Sequence, residues 1–385
     1  MSNGVNRREM LQGMVSAGIA LAGVAAAALP ALADGEEVVQ FTDFPKDFNP
    51  APRPGVRYFD TRTLQSFLPP SDQFFTVQHY GQPTVDMGSY RLRITGMINR
   101  PLELSLDDLR KRRRLEQVVG FECSGNNNAR GNPLVGNARW AGTSLSALLK
   151  ECGLKPSAIE VVFFGADKGS EEVSHGGSTQ KVEQRFGRSL SVRDATQPEV
   201  LIAYEMNGQP LSLAQGAPVR VIVPGWYGVA NVKWLEQIHL MDRRFMGKFM
   251  AREYVTLRGD KVGDEVIWNE TSVSRMQLKS MVARVTRSGS ICNLLGFALN
   301  DGTPLKAVEV SINGGPWKPA VLDKSNTAYS WKLFHYRWEG AQPGEHTIAS
   351  RAIDVHGSIQ PTEAELESKK TRWENNGQYV RKILI

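Results

Sequence analysis

Cys123 is the residue whose surroundings are best suited to chemistry. It ends the apolar run Val118-Val119-Gly120-Phe121-Glu122 and opens a loop, SGNNNARGNPLVGN from Ser124 to Asn137, dominated by glycine and asparagine. Such residues tolerate left-handed backbone and offer amide donors. A cysteine delivered by a strand end into that loop is expected to be an exposed thiolate whose charge can be balanced. The other two cysteines read differently. Cys152 falls at a helix end and Cys292 in the apolar stretch Ile291 to Phe297, both suited to small buried hydrophobes. Histidine-based metal chemistry finds no spacing to support it. The six histidines, His79, His175, His239, His335, His346 and His356, form no HExxH or His/Cys zinc pattern. None of the cysteines begins a C-x-x-C-H haem motif, since the fifth residues of the three windows are Asn127, Pro156 and Gly296.

The elements that must position Cys123 are legible from periodicity. Tyr90, Leu92 and Ile94 alternate with polar neighbours as a half-buried strand does. Further strands are predicted at 118–122, 159–164, 200–204 and 219–223, the third leading into an Asn207-Gly208 turn. A helix is predicted to start near Thr143 or Ser144, to carry Leu145, Leu148 and Leu149 on one face and to stop at Gly153. Strands and helices without a βαβ rhythm predict an α+β body, and the Pro- and Asp-rich residues 34–72 an extended arm over it. From about Met276 the texture becomes short alternating strands with turn signals: Val308, Val310 and Ile312, then Trp331 and Leu333, then 346–354. This predicts a β-sandwich of about 110 residues, immunoglobulin-like in size, with a boundary near Ser274.

Composition bounds the rest. The 385 residues carry 46 Lys+Arg against 40 Asp+Glu and are 41% hydrophobic, an ordinary globular balance whose mild positive charge is no nucleic-acid footprint. The basic run Arg110 to Arg114 follows a Ser105-x-x-Asp108 capping pattern and reads as a solvated helix end, or more sharply as a docking patch for an acidic partner. Arg7 and Arg8 precede an uncharged stretch from Leu11 to Ala33 ending Ala31-Leu32-Ala33, the pattern of a twin-arginine leader over 1–33. Folded export to the periplasm suits an enzyme that receives a large cofactor first, and cleavage leaves no stable membrane span.

Phe121-Glu122-Cys123-Ser124-Gly125-Asn126, followed by Ala138-Arg139-Trp140-Ala141-Gly142, resembles the sulfite oxidase family of molybdenum enzymes. The resemblance extends through Val223-Pro224-Gly225, Val232-Lys233-Trp234, Tyr254 and the C-terminal sandwich. It implies a molybdopterin-binding domain at 34–273 and an immunoglobulin-like dimerisation domain at 274–385. It implies a molybdenum and molybdopterin cofactor, with Cys123 as the metal ligand. His79, closing the Phe75 to His79 segment, and Asn126, Asp167, Gln215, Arg220, Asn231 and Lys233 take cofactor-binding positions, Arg220 and Lys233 being suited by charge to the pterin phosphate. Tyr254 and Arg372 take active-site positions, and the reaction is oxygen transfer to sulfur.

The departures carry information too. Val77, Asn127, Asn128 and Ala230 stand where the family's sulfite oxidases have arginines, and Gln215 where they have a histidine. Arg130 is nearby but out of register. Each cation lost from an oxyanion pocket removes on the order of 1.5 to 3 kcal/mol of binding. The pattern is most similar to molybdenum subunits of Sox-type sulfane dehydrogenases, which implies a persulfide on a sulfur-carrier protein as substrate, with free sulfite as the alternative. The missing haem motif makes a c-type cytochrome the implied electron acceptor, in an α2β2 assembly.

Overall fold

The computed structural model describes Leu32 and residues 35–385. The leader reading therefore lies outside the described residues, Leu32 excepted. Among the described residues, no helix is long and apolar enough to cross a membrane.

The body is more strand-rich than α+β implied. Its α-helices among the described residues are four and short, the longest being Leu145–Cys152 with eight residues. That helix begins as predicted, with the Ser144 hydroxyl accepting from the Ala147 N–H, and ends at Gly153. Ser105 and Asp108 form a reciprocal capping box on Leu106–Arg110. The remaining chain is claimed by antiparallel hairpins, because glycines and β-branched residues recur too often for longer helices.

Two five-stranded sheets frame the body. The first runs Arg220–Ile222, Leu201–Met206, Val135–Ser144, Leu115–Glu122, all antiparallel, with Gln209–Pro210 appended. The second runs Leu102–Leu104, Leu92–Gly96, Leu235–Met241, Glu160–His175, Ser178–Ser191, with one parallel pairing between Leu92–Gly96 and Leu235–Met241. A separate hairpin, Val255–Val262 with Glu265–Ser272, follows. Trp140, Phe121, Phe163 and Leu148 are fully buried in the core beneath them.

The C-terminal strands form two facing sheets. One runs Glu37–Val39, Lys279–Ser288, Ile291–Leu299, Lys332–Glu339, Val321–Leu322; the other runs Lys318–Pro319, Leu305–Ile312, Glu345–Asp354, Arg381–Leu384. Val285, Cys292, Phe334, Val310, Ile348 and Ile383 fill the space between. The arm is woven in, because Glu37–Val39 pairs with 285–287 and Phe41 bridges Ile383. Trp331 leaves the sandwich for the body's core, where its indole N–H donates to the Phe67 carbonyl at 3.0 Å. Cys152 and Cys292 are buried and unbonded, as small hydrophobes. The basic run is largely neutralised by its own chain: Arg110 meets Asp107, Lys111 meets Asp108, Arg112 meets Glu151 and Arg114 meets Glu205.

Candidate functional site

Cys123 sits where the strand Leu115–Glu122 leaves its sheet. Its N–H still donates to the Leu134 carbonyl at 2.9 Å, and its own carbonyl accepts from the Asn126 N–H at 2.9 Å, folding the loop back tightly. The Asn126 amide locks this turn: Nδ2 donates to Glu122 Oε2 at 2.9 Å, and Oδ1 accepts from the Leu134 N–H at 3.0 Å. Glu122 in turn meets Lys279 at 3.1 Å with both side chains buried, and Lys279 also donates to Asn132 and to the Asn375 carbonyl. Lys279 belongs to the sandwich, so the cysteine loop is pinned across both units. Burial pushes the Cys123 thiol up to about 11, the Gly125 N–H opposing only in part. The expected exposed thiolate is thus corrected: the sulfur is half-buried, and its anion needs a bound cation to form near neutrality.

Beside the sulfur lies a cleft walled on its apolar side by Phe75, Val77, Phe121 and Phe186. At its centre, His79 Nε2 and the Tyr254 hydroxyl are 2.7 Å apart. The imidazole stacks on Phe186 at 4.8 Å and packs against Phe249. Burial, reinforced by Lys233 and Lys248, pushes its pKa down to about 3, so His79 is a neutral partner. Burial likewise raises the Tyr254 phenol, with Cys123 and Glu253 adding to it, so this hydroxyl keeps its proton. Tyr254 stacks on Trp373, centroids 4.4 Å apart.

The cleft also holds a charged set. Arg220 donates to the carbonyls of Gln215 at 3.0 Å and Asn231 at 2.9 Å, and to Gln215 Oε1 at 3.3 Å, leaving Nε without a partner. Lys233 donates to the Ala214 carbonyl at 3.2 Å. Gly216, at φ +102°, lets the chain pass close to Lys233, where a Cβ would lie 2.9 Å from the lysine's own. Burial pushes Arg220 down to about 9, and burial with Arg220 nearby pushes Lys233 down to about 7. Asp167, raised by burial to about 6, leaves Oδ1 buried and unbonded. Two desolvated cations and orphaned polar atoms on one wall fit an anionic, hydrogen-bonding group such as a pterin phosphate. The residues present therefore suit a molybdopterin, with Cys123 as the soft ligand for its metal. No three His, Cys, Asp or Glu side chains gather as an alternative metal cage among the described residues.

Eight of the ten singled-out residues line this cleft: Cys123, Tyr254, His79, Asp167, Gln215, Arg220, Asn231 and Lys233. Asn126 does not, because its amide is spent on Glu122 and Leu134. Asn231 lines the cleft, but its side chain accepts from the Val223 N–H and donates to the Tyr227 carbonyl, so it mainly holds backbone in place. Arg372 also lies outside. It is exposed, its guanidinium 4.3 Å from the Trp373 ring, and it lines an outer groove with Arg130 and Lys369. Val77 does reach the cleft, whereas Asn128 turns to Glu363 and Ala230 is buried without lining it. Sequence reasoning missed Phe74 and Phe186 in the lining, and Trp373 stacked on Tyr254 beside it. Phe74 beside Phe75 was the available signal, but nothing local placed the others here.

Comparison with known proteins agrees with this arrangement. The family described as oxidoreductase molybdopterin binding domain matches residues 79–249. Sulfite oxidase of Gallus gallus is 30% identical over 325 residues, spanning 77% of this chain and 69% of that protein. The mitochondrial sulfite oxidase of Rattus norvegicus is 29% identical over 344 residues, 82% of this chain but 60% of the rat protein. Among solved structures, the sulfane dehydrogenase SoxCD from Paracoccus pantotrophus superposes with a TM-score of 0.72 at 22% identity, covering 89% of this chain and 90% of that one. At that identity the likeness shows the fold.

Proposed function

This chain belongs to the sulfite oxidase family of molybdenum enzymes, and from that membership we propose that it is a dehydrogenase oxidising sulfane sulfur, a persulfide on the cysteine of a carrier protein, in thiosulfate oxidation. The observation that carries the reading is where the cations are. The lysine and arginine side chains lining the cleft are Lys233 and Arg220, and both are tied to the carbonyls of 214, 215 and 231. Arg188, buried nearby, is committed to the carbonyls of Phe249 and Val273. Around Cys123 the wall is Val77, Phe121, Phe186 and Tyr254; Arg372 lies outside this lining, though its charge still acts on Cys123 and Tyr254. A sulfite dianion would be desolvated there without charge-assisted partners, whereas a low-charge sulfur loses little.

The molybdenum and molybdopterin group, when bound, supplies two-electron oxygen-transfer chemistry. Cys123 would hold the metal, Arg220 and Lys233 the phosphate, and His79, Asp167 and Gln215 the pterin, with Asn231 fixing the backbone around them. Tyr254 keeps its proton and can donate it as a hydrogen bond to a substrate oxygen while neutral His79 fixes its orientation. In this reading electrons leave to a c-type cytochrome subunit. Residues 34–273 form the cofactor-binding unit and 274–385 an immunoglobulin-like dimerisation unit of an α2β2 complex, exported folded to the periplasm after the 1–33 leader directs it. The similarity to sulfite oxidases supports a second reading, oxidation of free sulfite.

The test is steady-state reduction of the cytochrome partner by the molybdenum-loaded enzyme, comparing persulfide-loaded carrier with free sulfite. Turnover of the carrier with sulfite near background is the expected result. Fast sulfite turnover with an idle carrier overturns the proposal in favour of the second reading.

A further inference from the structure

We propose that Trp373 is a specificity-determining residue: its ring partitions the cleft from the outer groove, holds Arg372 on the groove side, and sets the sulfur-binding wall against free oxyanions. The inference rests on reading the cleft as a sulfur-substrate site. Three contacts define the partition. The indole stacks on Tyr254, which lines the cleft, with centroids 4.4 Å apart and planes 28° from parallel. The Arg372 guanidinium lies 4.3 Å from the same indole and lines the groove. Beneath the ring is Gly125, where a Cβ would approach Trp373 to 3.1 Å and the Cys123 sulfur to 3.9 Å. Only a residue without a side chain lets the indole lie this close to the cysteine loop.

The backbone on either side of the ring is pinned. Lys369 Nζ donates to the Trp373 carbonyl at 2.9 Å, and Lys279 donates to the Asn375 carbonyl at 3.0 Å. Glu374 adopts φ +56°, a region disfavoured for a glutamate, and is held there by its N–H to the Ser124 carbonyl at 2.7 Å and by Thr256 on its carboxylate at 2.6 Å. Strain retained beside the cysteine loop in this way presents the indole inward. The consequence for ligands follows from charge. Aromatic faces carry the negative lobe of the ring quadrupole and disfavour an anion, while they accept polarizable sulfur. Trp373 thus keeps the nearest cation, Arg372, occupied on the groove side.

Holoenzyme carrying Trp373→Gly, Trp373→Phe, or Trp373→Gly with Arg372→Gln tests this through two readouts, calorimetric titration with sulfate and the separate kcat and KM for sulfite. Trp373→Gly is expected to bind sulfate ~10-fold more tightly, the size of one released charge-assisted contact, with a fall in KM for sulfite that exceeds any change in kcat. Trp373→Phe should follow the wild type, and adding Arg372→Gln should abolish the gain. Should the glycine variant fail to retain its cofactor, Trp373→Leu, which removes the aromatic face but keeps bulk, is titrated instead, with the same expectation. Sulfate affinity unchanged or weakened, or a gain that survives without Arg372, overturns the proposal. Failure of the wild type to turn over loaded carrier would instead overturn the substrate reading, leaving the sulfate titration to stand.

Discussion

Lys233 shows how a single buried group reports on an absent charge. Burial first, and Arg220 second, hold its ammonium down at about 7 from an ordinary 10.5. In the unfolded chain the same group keeps its proton to about 10.4. Its cost to folding is therefore full below pH 7 and is relieved as the pH rises towards 10. For cofactor-free protein, the stability of the wild type relative to Lys233→Met should climb across that window in denaturant titrations; a difference independent of pH would refute the assignment. In loaded protein the same substitution removes the proposed phosphate contact, and retained pterin after dialysis should correspond to ~10- to 100-fold weaker binding. Tyr254→Phe deletes the hydroxyl shared with His79 and should lower kcat/KM by about tenfold, a loss of one ordinary hydrogen bond in the reacting complex. Places in the cleft were readable where residue type and chain order coincide, as at Cys123 and His79. They were not readable at Asn126, whose short amide reaches Glu122 and Leu134 before it reaches any cleft.

At the level of elements, the hairpin from Leu115 to Ser144 carries the site and the sandwich strand Lys279–Ser288 holds it still. The buried Glu122–Lys279 pair is the fastening, with Asn132 and the Asn375 carbonyl completing the ammonium's shell. Lys279→Met strands a buried carboxylate and should destabilise the protein by about 3 to 5 kcal/mol, whereas Lys279→Met with Glu122→Gln should recover much of it. Equilibrium unfolding of the three proteins decides this, and additive losses would show that the pair acts as no unit. Strand positions were legible because alternation survives in 92–96 and 345–354, while 201–206 is a short, almost continuously buried apolar run. The length of the hairpin arms 160–175 and 178–191 was not, since their outer halves are polar on both faces and show no period.

Over the whole molecule, the two units share material instead of merely touching. The arm strand Glu37–Val39 completes a sandwich sheet, and Asp43 accepts from Tyr379 at 2.8 Å and from the Lys382 N–H at 2.6 Å while lying 3.2 Å from buried Arg381. Arg381 is otherwise enclosed by the rings of Phe41, Phe44 and Tyr379. Asp43→Asn leaves that guanidinium without its carboxylate and should cost about 3 kcal/mol, lowering the thermal midpoint; a midpoint within error of wild type would show that the aromatic enclosure suffices.

The sequence by itself determined the thiol-bearing strand end, the change of texture near residue 276, and the chain order of most residues that line the cleft, because each depends on residue type and local spacing. The tertiary structure alone decided that Cys123 is half-buried and costly to ionise, that Lys279 reaches the cysteine loop, and that Trp373 stands between Arg372 and Tyr254. Those outcomes depend on burial and on contacts between residues more than a hundred positions apart, which no local pattern encodes. Desolvation and packing are properties of the enclosing surface, and that surface exists only once the two units have closed on each other.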